Sequence, residues 1–255
     1  MSSIALCFLT YDKLNQNNIW NNLFLKHRDK LNIYIHNKKE FIDKKHNTNQ
    51  YCIKNKIATQ YGNISLVSAT IKLFKEAYKN ENNKYFILLS NSCIPIQTYN
   101  YIYTHINKYD TNMFLGSGHP MGINGQNRFY HLINDNFINY EDWLWQSQWC
   151  ILKRDTVNFF IENDYTPLFK NMFTPDEHYF INICHKFRIP YKLSNITYVN
   201  WDKASHYDNG FRPYTYNYLD INTINNIRSE GYLFMRKISD KCEIENTAHQ
   251  YLDSL

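Results

Sequence analysis

Three short, uninterrupted apolar runs set the limits on this fold: Ile4-Ala5-Leu6-Cys7-Phe8-Leu9-Thr10, Ile33-Tyr34-Ile35-His36 and Tyr85-Phe86-Ile87-Leu88-Leu89-Ser90. Runs of this length, bounded by turn formers, belong to strands buried on both faces, as in the parallel sheets of α/β domains. Between the first two, Trp20, Leu23 and Phe24 fall on one face of a helix. A strand, a helix and a strand within about 35 residues form a βαβ unit with a right-handed crossover. Ser65 stands where it can cap a helix carrying Val67, Ile71, Phe74 and Tyr78, and Ile57 to Thr59 reads as a further short strand. The expectation is an α/β, Rossmann-like domain whose mostly parallel central sheet is flanked by helices.

The second half is less regular. Met113 to Leu115 reads as a strand, followed by a Gly- and Asn-rich loop from Gly116 to Tyr130. Trp143, Trp145 and Trp149 precede a strand at Cys150 to Leu152, with two of the three expected in the core. Asp155 is placed to cap a helix bearing Val157, Phe160 and Ile161. A strand at Thr197 to Trp201, a helix at about Ile221 to Arg228 and an apolar run from Leu233 complete the series. Glu243 and Glu245 fall after the last expected element and read as solvated surface. No repeat or linker divides residues 1–255, so one domain is the simplest description.

Composition removes several functions. There are only 7 glycines, and neither G-x-G-x-x-G nor G-K-[ST] occurs, which excludes the common Gly-rich phosphate loops. The net charge of +5 carries no basic helical stripe, and its clusters at Lys38-Lys39 and Lys44-Lys45-His46 lie in a polar segment, so nucleic acid is not the expected partner. The 6 cysteines include no C-x-x-C pair, which fits reduced thiols rather than a zinc site or disulfide framework. No basic n-region precedes Ile4 to Leu9, and that run is too short for an anchor. A soluble, intracellular protein with no transmembrane segment is expected.

Phe173-Thr174-Pro175-Asp176-Glu177-His178-Tyr179-Phe180 can be read in two ways. Thr174 can cap a helix with Pro175 at its first position and Glu177 closing a capping box. Alternatively, Glu177 is a general base presented to a cleft at a helix start, pointing into the cleft rather than back at Thr174. Ligands in open parallel sheets bind beyond the carboxyl ends of the strands. His36, the turn with Ser90 and Ser92, and Gly116-Ser117 occupy such ends and are candidate binding positions. For His36 the alternative is a satisfied core histidine, and for the Ser90 turn an ordinary Ser/Asn turn.

Taken in order, several blocks resemble the core-2/I-branching β-1,6-N-acetylglucosaminyltransferase family, especially its plant-type members. They are Ile4 to Thr10 with His27 and Ile33 to His36; Gly62 to Val67; Tyr85 to Ile96; Ser147-Gln148-Trp149 with Arg154; Pro175 to Tyr179; Tyr198 to Trp201; and Leu233 to Lys237. Gln146 stands where a glycine is usual. The resemblance implies a GT-A-type fold, with a donor-binding half at about 1–115 and an acceptor and catalytic half at about 116–240. It implies an inverting transfer from a nucleotide sugar, with Glu177 as base, Lys237 and Arg212 on the donor diphosphate, and Arg236 as a substitute. Trp201 falls on the acceptor side, where Trp149, Arg128 and Tyr130 are further candidates. The implied donor is a UDP-sugar, GlcNAc or xylose, and the implied acceptor a glycan or glycoprotein. No two aspartates are two residues apart, so the D-x-D metal signature is missing. No metal or other cofactor is therefore expected, and the leaving diphosphate would need fixed cations. A non-catalytic sugar-nucleotide or carbohydrate-binding module is the alternative.

Overall fold

A computed structural model describes residues 3–40, 48–116, 127–132, 137–201 and 212–255. The three apolar runs are strands: β1 (Ser3–Thr10), β2 (Leu31–Asn37) and β3 (Asn83–Ser90). β1 pairs in parallel with both, Leu6 lying opposite Ile33 on one side and Ile87 on the other. β5 (Asn112–Phe114), β6 (Cys150–Lys153) and β7 (Tyr191–Leu193) extend the sheet to six strands in the order β2-β1-β3-β6-β5-β7. β6 runs antiparallel to both its neighbours, whereas β5 and β7 are parallel. Strands from both halves of the sequence thus share one sheet.

Alternation along β1 explains why the run is apolar throughout. Ile4, Leu6 and Phe8 enter the core that holds Trp20 and Leu23 of α1 (Asn17–Lys26). Ala5 and Cys7 enter the opposite core, with Val67 and Phe74 of α2 (Ser65–Tyr78). With a side-chain period of two and a helix on each face, no position from Ile4 to Phe8 is left for a polar residue.

Further helices are α3 (Tyr99–Tyr109), α4 (Arg154–Glu162), α5 (Thr166–Phe169), α6 (Tyr179–Lys186), α7 (Ile221–Ser229) and α8 (Asn246–Ser254). A second sheet, β4-β10-β8, joins β4 (Ile94–Pro95), β10 (Phe234–Arg236) and β8 (Thr197–Val199), and β9 (Tyr216–Leu219) pairs with β11 (Ile238–Ile244). Trp143 and Trp149 are buried and Trp145 is half-buried. All six cysteines are free thiols. Among the described residues, no helix is long and apolar enough to cross a membrane.

Several local expectations are corrected. Ile57 to Thr59 forms no strand; the edge contact to β2 is a single bridge from Cys52 to Ile35. Asn63, not Ser65, closes the start of α2: its Oδ1 accepts from Ser65 N at 3.0 Å, while Ser65 Oγ accepts from Gln60 N. Asp155 lies inside the first turn of α4 and does not cap it, although its charge there complements the helix dipole. The chain does not end its ordered structure near Lys237. β11 and α8 follow, and Glu245 Oε2 accepts from Ile221 N at the start of α7. Arg154 is structural, its guanidinium donating to Tyr78, Asn80 and Asn83 carbonyls while lying 3.9 Å from the Tyr78 ring centroid. The Lys44-Lys45-His46 cluster, Ser117 and most of the Gly116 to Tyr130 loop lie outside the described residues.

Candidate active site

A cleft of about 960 Å³ gathers residues distant in sequence: Tyr61 and Gly62 before α2, Gly116 after β5, Trp145 and Trp149, the Thr174 to Glu177 turn, Trp201, Arg212, Arg236 and Lys237. Of the residues nominated from sequence, Glu177, Lys237, Arg212, Arg236, Trp201 and Trp149 line it together.

The turn that carries Glu177 is not the first turn of an α-helix. Pro175–Glu177 is a 3-10 turn and α6 starts only at Tyr179. Thr174 precedes it at φ 51°, donating its N–H to Gly62 O at 2.9 Å and accepting at its carbonyl from Glu177 N at 3.1 Å. Its hydroxyl caps nothing; Oγ1 is buried without a partner. The capping-box expectation is therefore corrected at both ends, because Glu177 turns away from Thr174. Gly62, at φ 68°, packs directly on the turn, and a Cβ there would lie 2.3 Å from the Phe173 ring. The positive φ is what favours glycine here, since the Phe173 ring is exposed and can swing aside.

The segment at 144–146 clamps the turn from its other side. Gln146 N donates to Glu177 O at 2.9 Å, and Gln146 Oε1 accepts from Ile181 N at 2.8 Å, satisfying an open N–H of α6. Asn182 Oδ1 accepts from Leu144 N, and its Nδ2 donates to Leu144 O and His178 O. The fully buried Gln146 thus ties the Glu177 turn to the start of α6 through both its backbone and its side chain.

Glu177 Oε2 receives Arg128 Nη1 at 2.5 Å and Trp145 Nε1 at 3.4 Å. Arg128 Nη1 also lies 3.4 Å from His178 Nε2. His178 Nδ1 faces Leu144 O at 2.8 Å and must donate to that carbonyl, so Nε2 is the acceptor. Burial, with Arg128 nearby, pulls the His178 pKa down to about 3, and the neutral ring stacks on Trp143 at 4.7 Å. Asp176 has the opposite problem: burial and the adjoining Glu177 charge push its carboxyl up to about 7, and its Oδ1 has no partner. Arg236 lies 4.4 Å from the Trp149 ring centroid, with its pKa lowered by burial and its Nε unpartnered.

Other nominated residues are elsewhere. His36 is buried at 2% exposure, and its Nε2 accepts from Ile57 N at 2.9 Å. Burial lowers its pKa, and it is a satisfied core histidine outside the cleft lining. Ser90 and Ser92 bond each other at 3.1 Å in the turn after β3 and do not line the cleft either. Tyr130 is 73% exposed and stacks on Tyr140. Asp176, Thr174 and Tyr61 line the cleft but were given no role from sequence; for the first two, adjacency to Glu177 was the available signal. Among the described residues, no three His, Cys, Asp or Glu side chains converge as a metal site would require.

Residues 4–228 match the family described as Branch: Core-2/I-Branching enzyme. Glycosyltransferase BC10 of Oryza sativa subsp. japonica is 23% identical over 255 aligned residues, which cover 85% of this chain and 63% of the rice protein. This chain therefore spans less than two thirds of that relative. Among solved structures, A197 from STIV aligns with a TM-score of 0.38 and 8% identity over 75% of this chain and 81% of that one. A glycosyltransferase involved in the glycosylation of the major capsid of PBCV-1 aligns with a TM-score of 0.36 and 8% identity over 99% of this chain and 100% of that one. The match from Ile4 to Arg228 takes in β1 through α7, including the turn that carries Glu177, and on it the chain belongs to the Core-2/I-branching enzyme family of glycosyltransferases.

Proposed function

We propose that this chain is an inverting, metal-independent glycosyltransferase that moves a sugar, GlcNAc or xylose, from UDP to a hydroxyl of a glycan or glycoprotein. One observation carries the reading: Glu177, with Asp176 beside it, shares a cleft with three cationic side chains, Arg212, Arg236 and Lys237. Such a cleft has a place for each charge of a displacement at an anomeric carbon. Glu177 takes the proton of the acceptor hydroxyl as its oxygen bonds to that carbon. The bond to the diphosphate breaks, and its electron pair leaves with the diphosphate onto the cations. Charge-assisted hydrogen bonds from Arg and Lys are the strong kind suited to that load. Trp201, 50% exposed at the cleft, offers an apolar face to the acceptor, and Trp149 supports Arg236 from below its guanidinium.

The deciding experiment measures UDP release from UDP-GlcNAc and UDP-xylose, with and without candidate glycan acceptors, for wild type and Glu177→Gln. Acceptor-dependent release lost in the variant, with UDP still bound, supports the reading. A variant as active as wild type removes Glu177 as base. UDP binding with no turnover of any donor favours a non-catalytic sugar-nucleotide module.

A further inference from the structure

Three residues that line this one cleft each carry a buried side-chain polar atom without a hydrogen-bond partner: Thr174 Oγ1, Asp176 Oδ1 and Arg236 Nε. Leaving a buried polar atom unpaired costs about 1–3 kcal/mol, and folded proteins hold few of them. Thr174 bears a second cost. A β-branched residue at φ 51° sits in the left-handed region, worth about 1–3 kcal/mol of strain, and the bond from its N–H to Gly62 O holds it there. Strain and unpaired atoms on one turn point to a ligand that completes the pairing.

The location narrows the ligand, on the functional reading above. Arg212, Arg236 and Lys237 mark the diphosphate end of the donor, and Glu177 marks the attacking hydroxyl. Base and hydroxyl are about 2.6–3.2 Å apart, and hydroxyl and anomeric carbon about 3–3.5 Å, so that carbon lies within about 6–7 Å of the Glu177 carboxylate. Thr174 and Asp176 stand three residues and one residue before Glu177, on the cleft side of the same turn.

We infer that Thr174 and Asp176 hydrogen-bond ring substituents of the donor sugar, making this turn a determinant of which sugar is carried rather than of nucleotide binding. A sugar hydroxyl both donates and accepts, so it pairs with the Thr174 hydroxyl and with an Asp176 carboxyl in either protonation state. That tolerance matters because burial and the Glu177 charge push Asp176 up to about 7.

Calorimetric titration of UDP, UDP-GlcNAc and UDP-xylose into wild type, Thr174→Val and Asp176→Asn tests this. The quantity read is the ratio of the UDP Kd to the UDP-sugar Kd, which isolates the sugar. It is expected to fall by about 2- to 10-fold in each variant, one net hydrogen bond's worth, with UDP affinity held within about 2-fold. An unchanged ratio in folded variants overturns the inference, as does a wild type that gains nothing from any sugar while binding UDP. Wild type that fails to bind UDP instead sinks the functional reading. If Asp176→Asn does not fold, Thr174→Val decides alone.

Discussion

Arg128 Nη1 stands 2.5 Å from Glu177 Oε2, so the carboxylate proposed as base has a cationic partner. The pair is mostly shielded, with side-chain exposures of 19% and 30%. The second contact of Arg128, to His178 Nε2, requires that ring to stay neutral. Arg128, nominated from sequence as an acceptor residue, is thus the ion-pair partner of the carboxylate proposed as base and is not among the residues that line the cleft.

Replacing Glu177 with Gln keeps the shape of the side chain and removes its capacity to take a proton. Transfer is expected to fall about 10²–10⁴-fold, the range of a general base, with UDP affinity little changed. Steady-state assays alongside UDP titration check both parts. An unaltered kcat for transfer rejects the role.

The Arg128–Glu177 contact should appear as coupling in a stability cycle. Arg128→Met, Glu177→Gln and the double variant, compared by chemical denaturation, are expected to be non-additive by about 0.5–3 kcal/mol. The cost of Arg128→Met includes leaving Glu177 as a partly buried, unpaired charge. Strict additivity would show that the pair does not persist in solution.

Two buried groups on either side of Glu177 pull the pH dependence of stability in opposite directions. Asp176 titrates near 7 when folded against about 4 unfolded, so the folded state holds the extra proton, and this contribution loses stability as pH rises from about 4 to 7. His178 titrates near 3 when folded against about 6.5 unfolded, so the unfolded state holds the extra proton, and this contribution gains stability from about 3 to 6.5. Each full proton gives about 1.4 kcal/mol per pH unit, and between about 4.5 and 6 the two slopes oppose one another. Asp176→Asn should therefore add a positive slope of up to about 1.4 kcal/mol per unit in that window, relative to wild type. Denaturation curves at pH 4.5, 5.2 and 6 measure it, and parallel wild-type and variant profiles would falsify the Asp176 assignment.

Why the sequence disclosed the sheet and only part of the site follows from what each depends on. β1, β2 and β3 are buried on both faces, which leaves a continuous apolar signature. Glu177, Lys237 and Trp201 were found through short local blocks, and the fold brings those blocks together. His36 and Ser90 looked equally suited because strand ends attract polar residues; the bond of His36 to Ile57 N comes from a segment whose path no local pattern specifies, whereas Ser90 bonds Ser92 within the ordinary Ser/Asn turn that was its alternative. The capping box at Thr174 failed for a related reason. A 3-10 turn held by Gly62 and Gln146 replaced the helical start, and both clamps are remote in sequence. Asp176 acquires its shifted pKa from burial, a property of the assembled cleft.

The cations of the cleft carry the last prediction. On the proposed function, with no D-x-D in the sequence, the charge on the departing diphosphate is assigned to Arg212, Arg236 and Lys237, which line the cleft. Arg236 is the best prepared, since its guanidinium is set against Trp149 and its Nε is unpaired, although burial works against its charge. A diphosphate there would offset that cost while gaining bonds of about 1.5–3 kcal/mol each. Lys237→Ala and Arg236→Ala are each expected to weaken UDP binding by about 10- to 100-fold, which titration calorimetry reads directly. Donor turnover should survive EDTA and dialysis, because fixed charges supply what a divalent ion supplies elsewhere. Strict dependence of turnover on added Mn²⁺, together with normal UDP affinity in both variants, would move the diphosphate site away from these residues.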